Sequence, residues 1–147
     1  MKTLTTLLVV ALMGVTSSND LKWGADFEAA KAEAADREST ILIVFSGSDW
    51  CKPCIQLHQE LFDSPEFKAY AEEHLTLIKA DFPYRKKNKL SKEQTAHNEK
   101  LAAKYNPYGE FPLAVFTNAS GKALGSFGFD KGKKPADYIS EFEKYLK

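Results

Sequence analysis

Apolar residues along this chain fall into short continuous runs that are separated by longer amphipathic stretches. Residues 41–45 are apolar at every position, which predicts a central strand covered by helices on both faces. Residues 75–80 and 111–117 predict two further strands, and the turn at 118–121 predicts an antiparallel return over 122–127. The pattern therefore predicts a mixed sheet of about four strands.

The stretches between these runs carry apolar residues at helical spacing. Helices are predicted at residues 25–37, from Lys52 onward, at 65–73, at 91–105 and at 135–146. In the helix at 91–105, Ala96, Leu101 and Ala102 are expected to face the core. Because strands alternate with helices, the predicted fold class is α/β, a three-layer sandwich with a mixed central sheet flanked by helices.

The start of the chain has the layout of a secretory signal peptide. Lys2 is followed by an apolar stretch at residues 4–15 and by small residues at 16–18. We predict a signal peptide at residues 1–17 and one domain at 18–147, exported to the periplasm or secreted. An uncleaved membrane helix is the weaker alternative, because the apolar stretch is shorter than the roughly 20 residues that span a bilayer.

Composition and charge exclude several classes of partner. Lysine plus arginine and aspartate plus glutamate both total 20, so no overall charge favours nucleic acid or an anionic membrane. A basic run at residues 84–92 is interpreted as a solvated loop rather than as a docking surface for an acidic partner. With 44% hydrophobic and 27% charged residues, the chain is typical of a globular domain, and we expect a monomer. No nucleotide or flavin motif occurs, so no cofactor is expected.

The two cysteines of the chain are three residues apart, in the segment Trp50-Cys51-Lys52-Pro53-Cys54. A strand that delivers two thiols to the start of a helix is typical of redox chemistry, and the pair can bridge only each other or a partner. If Cys51 caps the helix, backbone N–H groups and Lys52 favour its thiolate, and Cys54 lies one turn further on, within bridging distance. Pro53 stiffens this first turn without the loss of a hydrogen bond.

Together with this motif, residues 77–81 and 111–116 make the chain resemble the thioredoxin-like superfamily, in particular its exported bacterial branch. The resemblance implies a thiol-disulfide oxidoreductase that reduces or exchanges protein disulfides and depends on an unidentified redox partner. It further implies that Cys51 is the exposed nucleophile and that Cys54 is the shielded resolving thiol.

The resemblance also assigns a substrate-binding surface. It implies that the Phe111–Pro112 peptide bond is cis and lies against the thiols, with the neighbouring backbone pairing to an extended substrate segment. Trp50 would flank the site as an apolar surface for the substrate. Lys52 and Pro53 are assigned to the same surface.

One position departs from the family. Thioredoxins carry a buried carboxylate six residues before the first cysteine, where this chain has Phe45. Another group or water must then accept the proton of Cys54. Asp49 is a candidate by its proximity in sequence, although its ordinary role is that of a turn residue or a helix cap.

Two other functions remain open at this point. A copper- or zinc-binding protein that uses Cys51, Cys54 and His58 is one alternative, although a structural zinc site normally has four protein ligands, and no metal is expected. A chaperone that holds substrates on the apolar surface near Trp50 and Pro112 is the other.

Overall fold

The computed structural model describes residues 20–146, so the predicted signal peptide lies outside the described residues. The strands are β1 (Trp23–Gly24), β2 (Thr40–Ser46), β3 (Leu75–Asp81), β4 (Leu113–Thr117) and β5 (Ala123–Phe127). The α-helices are α1 (Phe27–Arg37), α2 (Lys52–Leu57), α3 (Pro65–His74), α4 (Lys92–Tyr105) and α5 (Pro135–Phe142). A π-helical turn at His58–Phe62 continues α2, and 3-10 turns lie at Lys86–Asn88 and Glu143–Tyr145.

The strands form one mixed sheet in the order β1-β3-β2-β4-β5. β1, β3 and β2 run parallel, whereas β4 is antiparallel to β2, and β5 is antiparallel to β4. The predicted mixed sheet is therefore confirmed, with β1 as an additional edge strand that pairs Trp23 with Leu77. A strand of two residues is too short to show an alternating pattern, so the sequence does not predict it.

The central strand β2 separates two apolar layers, and all seven of its residues are buried. On one face, Leu42 and Val44 belong to the layer formed with α2, α3 and α5. On the other face, Ile41, Ile43 and Phe45 belong to the layer formed with α1 and α4. Successive side chains of a strand point to opposite faces, so an entirely apolar strand requires cover on both sides. The predicted three-layer α/β sandwich is confirmed.

Short polar side chains define where the helices begin. Asp26, Ser64 and Ser91 each accept a backbone N–H in the first turn of α1, α3 and α4. Pro65 follows Ser64 at the first helical position, where its missing N–H has no intrahelical partner to lose. The predicted start of a separate helix at residue 65 is thus confirmed. Within the described residues, no helix is both long and apolar enough to cross a membrane.

One predicted core position on α4 is wrong. Ala96 is exposed, whereas Asn98 is buried together with Leu101. Asn98 Nδ2 donates to the backbone oxygen of Asp81 at 2.9 Å, and Asn98 Oδ1 accepts from Gln94 Nε2 at 2.9 Å. The inward face of α4 therefore runs through Gln94, Asn98 and Leu101 at helical spacing, and it tolerates a buried amide because both polar groups of that amide are bonded.

Because of Tyr70 on α3, the stability of the fold should vary with pH in the alkaline range. Its side chain is buried, and its hydroxyl has no hydrogen-bond partner among the described residues. Burial, with a smaller contribution from the charge of Glu143, raises the pKa of Tyr70 to about 12. Since the ordinary pKa is 10.0, the unfolded chain loses this proton first, and the free energy of unfolding should fall as pH rises from 10 towards 12.

The Tyr70→Phe variant is the measurement that isolates this effect. The contribution of Tyr70 to stability is fully present below pH 10 and is lost above it. Because phenylalanine has no hydroxyl to ionise, the variant should show a smaller fall in stability above pH 10 than the wild type. Urea denaturation at a series of alkaline pH values compares the two proteins. Parallel curves over the whole range would contradict the assignment to Tyr70.

Candidate active site

The two cysteines are joined by a disulfide at the start of α2. Cys51 is the N-cap residue, with an extended backbone, and its Sγ accepts the N–H of Cys54 at 3.3 Å. The two Cα atoms are 5.2 Å apart, within the range that a disulfide requires. Pro53 lies in the first turn, where no intrahelical N–H is lost. The predicted placement of the pair at a helix N-terminus is confirmed. A thiolate at Cys51 in the reduced form stays a prediction, based on the attraction of a helix N-terminus for negative charge.

The exposure expected for Cys51 is wrong in the disulfide form. Cys51 and Cys54 are equally shielded, with 4% of each residue accessible. The sulfur of Cys51 turns towards the helix start, where it is bonded to Cys54 and accepts the N–H of that residue. Exposure therefore does not distinguish the two sulfurs while they are bonded. Their positions do, because Cys51 precedes the helix and Cys54 lies within its first turn.

Hydrogen bonds hold the turn before Cys51 against the end of β3. The carbonyl oxygen of Gly47 accepts the N–H groups of Trp50 and Cys51 at 3.2 and 2.9 Å. The Trp50 ring lies so close to Gly47 that any side chain at this position would collide with the indole. Ser48 donates its N–H and its hydroxyl to the carboxylate of Asp81 at 3.0 and 2.6 Å. The disulfide is thereby positioned by the sheet as well as by its own helix.

An aromatic cluster borders the disulfide. Trp50 is 50% exposed, and its Nε1 donates to the carbonyl oxygen of Phe82 at 2.8 Å. The Phe111 ring packs edge-on against Trp50 and Phe82, with ring centroids 5.6 and 5.5 Å apart. The Phe111–Pro112 peptide bond is cis, as the family resemblance implies. The structure thus brings Trp50 and Phe111 side by side and leaves the indole open to solvent.

A cleft of about 250 Å³ borders Cys54. Ser46 at the end of β2, Lys79 on β3 and His58 one turn after Cys54 all contribute to its wall. His58 Nδ1 lies 3.3 Å from a carboxylate oxygen of Asp63, and both side chains are partly exposed. The cleft is large enough to admit water beside Cys54, and water can take the proton that this thiol releases when it attacks Cys51.

Val44, rather than Phe45, faces the disulfide from β2. Val44 shares a narrow apolar recess with Cys54, Trp23 and Pro112. Phe45, the position compared with the carboxylate of thioredoxins, points to the opposite face of the sheet, towards α1 and α4. Because strand residues alternate between faces, counting six positions back from the first cysteine selects the wrong face here. Neither residue is a carboxylate, so the departure from thioredoxins proper remains.

Asp49 lies in the turn, as expected, but its carboxylate holds a neighbouring loop. It accepts the backbone N–H groups of Tyr84 and Arg85 at 2.8 and 2.9 Å and Asn88 Nδ2 at 2.8 Å. These hydrogen bonds, led by that from Tyr84, hold the pKa of Asp49 below its usual value. A carboxylate kept ionised in this way is a poor proton acceptor, so Asp49 serves neither as a helix cap nor as the acceptor for Cys54.

His58 does not complete a metal site with the two cysteines. Its imidazole packs against Trp23 and Phe62, with ring centroids 6.3 and 5.9 Å away. Over residues 20–146, no three histidine, cysteine or acidic side chains are grouped closely enough to hold a metal ion. Both cysteine sulfurs are committed to the disulfide, which favours redox chemistry over the metal-binding alternative.

Residues 22–119 match the model of a protein family described as thioredoxin-like. The chain belongs to this thioredoxin-like family. The disulfide bond reductase DsbH of Chlamydia pneumoniae is 38% identical over 128 residues, which cover 87% of this chain and 74% of that protein. The thioredoxin-related protein DsbJ of the same organism is 26% identical over 125 residues, which cover 83% of this chain but only 35% of DsbJ.

A solved structure of a DsbH oxidoreductase resembles this chain with a TM-score of 0.79 and 31% sequence identity, covering 97% of this chain and 94% of the other. With the Cys51–Cys54 disulfide, these similarities identify the thioredoxin-like chain as an enzyme, a thiol-disulfide oxidoreductase. The metal-binding alternative is not supported.

Three side chains near the disulfide are not identified by sequence reasoning. Trp23 lies on an edge strand and Phe82 in the segment after β3, so each reaches the site only through sheet pairing and loop placement. Lys79 is a single charge near the end of an apolar strand, and it stands opposite Val44 in the β2–β3 register. That register is the one signal from which its position beside Cys54 follows.

Proposed function

We propose that this thioredoxin-like enzyme reduces or exchanges disulfides of exported proteins, with Cys51 as the nucleophile and Cys54 as the resolving thiol. The supporting observation is the disulfide at the start of α2, where the N–H of Cys54 donates to Cys51 Sγ. After reduction, the same N–H and the helix dipole favour a thiolate at Cys51, and Lys52 adds a neighbouring positive charge. Cys54, inside the first turn, attacks whatever is bonded to Cys51.

The reaction consists of two successive thiol-disulfide exchanges. The Cys51 thiolate attacks one sulfur of the substrate disulfide, a bond forms between them, and the other substrate sulfur leaves as a thiolate and takes a proton. Cys54 releases its proton into the cleft shared with His58 and Lys79, attacks Cys51, and frees the second substrate thiolate. Two electrons pass to the substrate, and the Cys51–Cys54 disulfide is the oxidised form of the enzyme. A redox partner must return two electrons before the next cycle.

The proposed substrate surface surrounds this disulfide. The Trp50 ring packs against Phe111 but remains half exposed, and its exposed part offers an apolar surface. Lys52 and Pro53 are exposed on the first turn of α2. The backbone beside the cis bond to Pro112 is proposed to pair with an extended substrate segment, so that main-chain hydrogen bonds provide affinity without sequence specificity.

Export and the reducing direction belong to the same proposal. Residues 1–17 are proposed as a cleaved signal peptide, and residues 18–147 as a monomeric domain of the periplasm or of a secreted protein. The relative DsbH is named a disulfide bond reductase, and we extend that direction to this chain. Disulfides persist in exported compartments, so a reductase there requires a dedicated electron donor.

The test of the function is the reduction of a model protein disulfide in the presence of a small dithiol. The wild type should accelerate the reaction, whereas a Cys51→Ser/Cys54→Ser double variant should leave it at the uncatalysed rate. A wild type that gives no acceleration would refute the enzyme proposal. If both proteins instead prevent aggregation of an unfolded client to the same extent, the exposed apolar surface near Trp50 would be explained by the chaperone alternative, without redox chemistry.

A further inference from the structure

The segment between β3 and α4 carries a concentrated positive charge beside the active site. Residues 84–89, here named the basic loop, include Arg85, Lys86, Lys87 and Lys89 and no acidic residue. All four side chains are exposed, and within the described part of the chain none of them lies in an ion pair with an acidic side chain. Since the whole chain has no net charge, this is a local feature of the surface.

The basic loop is fixed to the active-site turn, which distinguishes it from an ordinary solvated loop. Asp49, two residues before Cys51, accepts the N–H groups of Tyr84 and Arg85 and the side-chain amide of Asn88, all within 2.9 Å. Just before the loop, the carbonyl oxygen of Phe82 accepts the indole N–H of Trp50 at 2.8 Å. Asp49 remains ionised because these donors lower its pKa, so the anchor persists through the neutral pH range.

The exposed groups at this edge of the site are those that bind acidic polypeptide. Tyr84 is 87% exposed, and its N–H is bonded to Asp49, the residue just before the half-exposed Trp50. Lys52 adds a further cation beside Cys51. Aromatic side chains next to cations provide contact area together with attraction for carboxylates. Charges placed around a reactive centre mainly steer the encounter with a partner of opposite sign.

We propose that the basic loop is a docking surface for acidic polypeptide segments that flank the disulfide of the substrate protein. This inference rests on the proposed oxidoreductase function and specifies the class of substrate that the enzyme selects. Docking of carboxylates on the loop raises the rate of encounter between Cys51 and a neighbouring disulfide, and the chemistry at the two cysteines is unchanged.

The experiment compares three disulfides: a peptide with flanking Asp and Glu residues, the same peptide with Lys in their place, and a small uncharged disulfide. The wild type should show a kcat/KM about tenfold higher for the acidic than for the basic peptide at low salt, and the preference should shrink as salt is added. The Lys86→Glu/Lys87→Glu variant should lose or reverse the preference and should reduce the uncharged disulfide at the wild-type rate.

The chain offers a matched control for the charge change. Lys122 follows the β4–β5 turn, and Lys144 lies beside Tyr145, whose carbonyl oxygen accepts the hydroxyl of Thr40 at the start of β2. Both are exposed near the end of the sheet where β2 begins, whereas the disulfide follows the other end of β2. The Lys122→Glu/Lys144→Glu variant replaces two lysines by glutamate, so its net charge equals that of the loop variant. Because the changed residues lie far from the disulfide, this variant should keep the preference for the acidic peptide.

The Asp49→Ala variant tests the anchor separately, since it leaves every basic side chain in place. Its ratio of kcat/KM between the acidic and the basic peptide should fall towards one.

Equal wild-type rates on the two peptides, or an equal loss of preference in the control variant, would overturn the docking proposal. Retention on anionic vesicles that depends on Lys86 and Lys87, without a peptide preference, would assign the loop to a lipid surface and overturn it as well. Inertness towards the uncharged disulfide would instead refute the oxidoreductase function.

Discussion

Cys54→Ser should stop turnover and accumulate substrate proteins bonded to Cys51 as mixed disulfides. In this variant the first exchange still takes place at the helix N-terminus, but no neighbouring thiol is present to release the substrate. Cys51→Ser should lower kcat/KM for a protein disulfide by about 10⁴-fold or more, because a neutral hydroxyl replaces the attacking thiolate. Electrophoresis without reductant, followed by mass spectrometry of the adducts, measures the trapping and identifies the clients.

Cys51→Ser is also the matched control for the trapping experiment, because it retains one thiol of the pair. Cys54 lies within the first turn of α2, whereas Cys51 precedes the helix at its N-terminus, so this variant should yield no adducts. Adducts through Cys54 at the level of the other variant would contradict the assignment of roles. Thermal unfolding under reducing conditions verifies that both variants keep the wild-type fold when the disulfide is absent.

Phe116→Ala should lower the free energy of unfolding by about 3 to 5 kcal/mol. Phe116 is fully buried on β4, and its ring centroid lies 5.8, 5.0 and 4.9 Å from those of Phe127, Phe142 and Tyr145. β5, α5 and the last 3-10 turn therefore all pack on this one ring. Its removal leaves a cavity that three separate elements cannot fill by a small shift. Urea denaturation with the disulfide intact measures the loss.

Tyr108→Ala is the control for the stability measurement. Tyr108 is also aromatic but 89% exposed, so its replacement should change the free energy of unfolding by no more than about 0.5 kcal/mol. Similar losses in the two variants would contradict the central position given to Phe116. Because Phe116 does not border the disulfide, the folded fraction of its variant should keep a kcat/KM close to that of the wild type.

The redox pair illustrates what short-range sequence information can establish. An apolar run, a turn and a helix follow one another without interruption, so the position of Cys51 as a helix cap is a consequence of neighbours in the chain. The start of a helix at residue 65 is predicted for the same reason. The inward face of α4 is not predicted correctly, because the choice between Ala96 and Asn98 depends on a hydrogen bond to Asp81 at the end of β3.

The surroundings of the disulfide show where such information ends. Asp49 is hydrogen-bonded to Tyr84, 35 residues away along the chain, and Trp50 is hydrogen-bonded to Phe82, 32 residues away. Nothing in the basic run indicates that it is held beside the cysteines, and sequence alone favours a solvated loop. The identity of the residue beneath Cys54 likewise depends on the face to which each residue of β2 points, and this places Val44 there instead of Phe45.

The order of elements, the α/β class, the pair of redox cysteines and the family resemblance all follow from local patterns, because each depends on residues that are close in the chain. Folding decides which groups meet at the sulfurs. Trp23, Lys79 and the basic loop reach the disulfide through the parallel pairing of β1, β3 and β2 and through the carboxylate of Asp49. The physical reason is that the register of a sheet and the anchoring of a loop are set by contacts between distant segments, which no single stretch of sequence encodes.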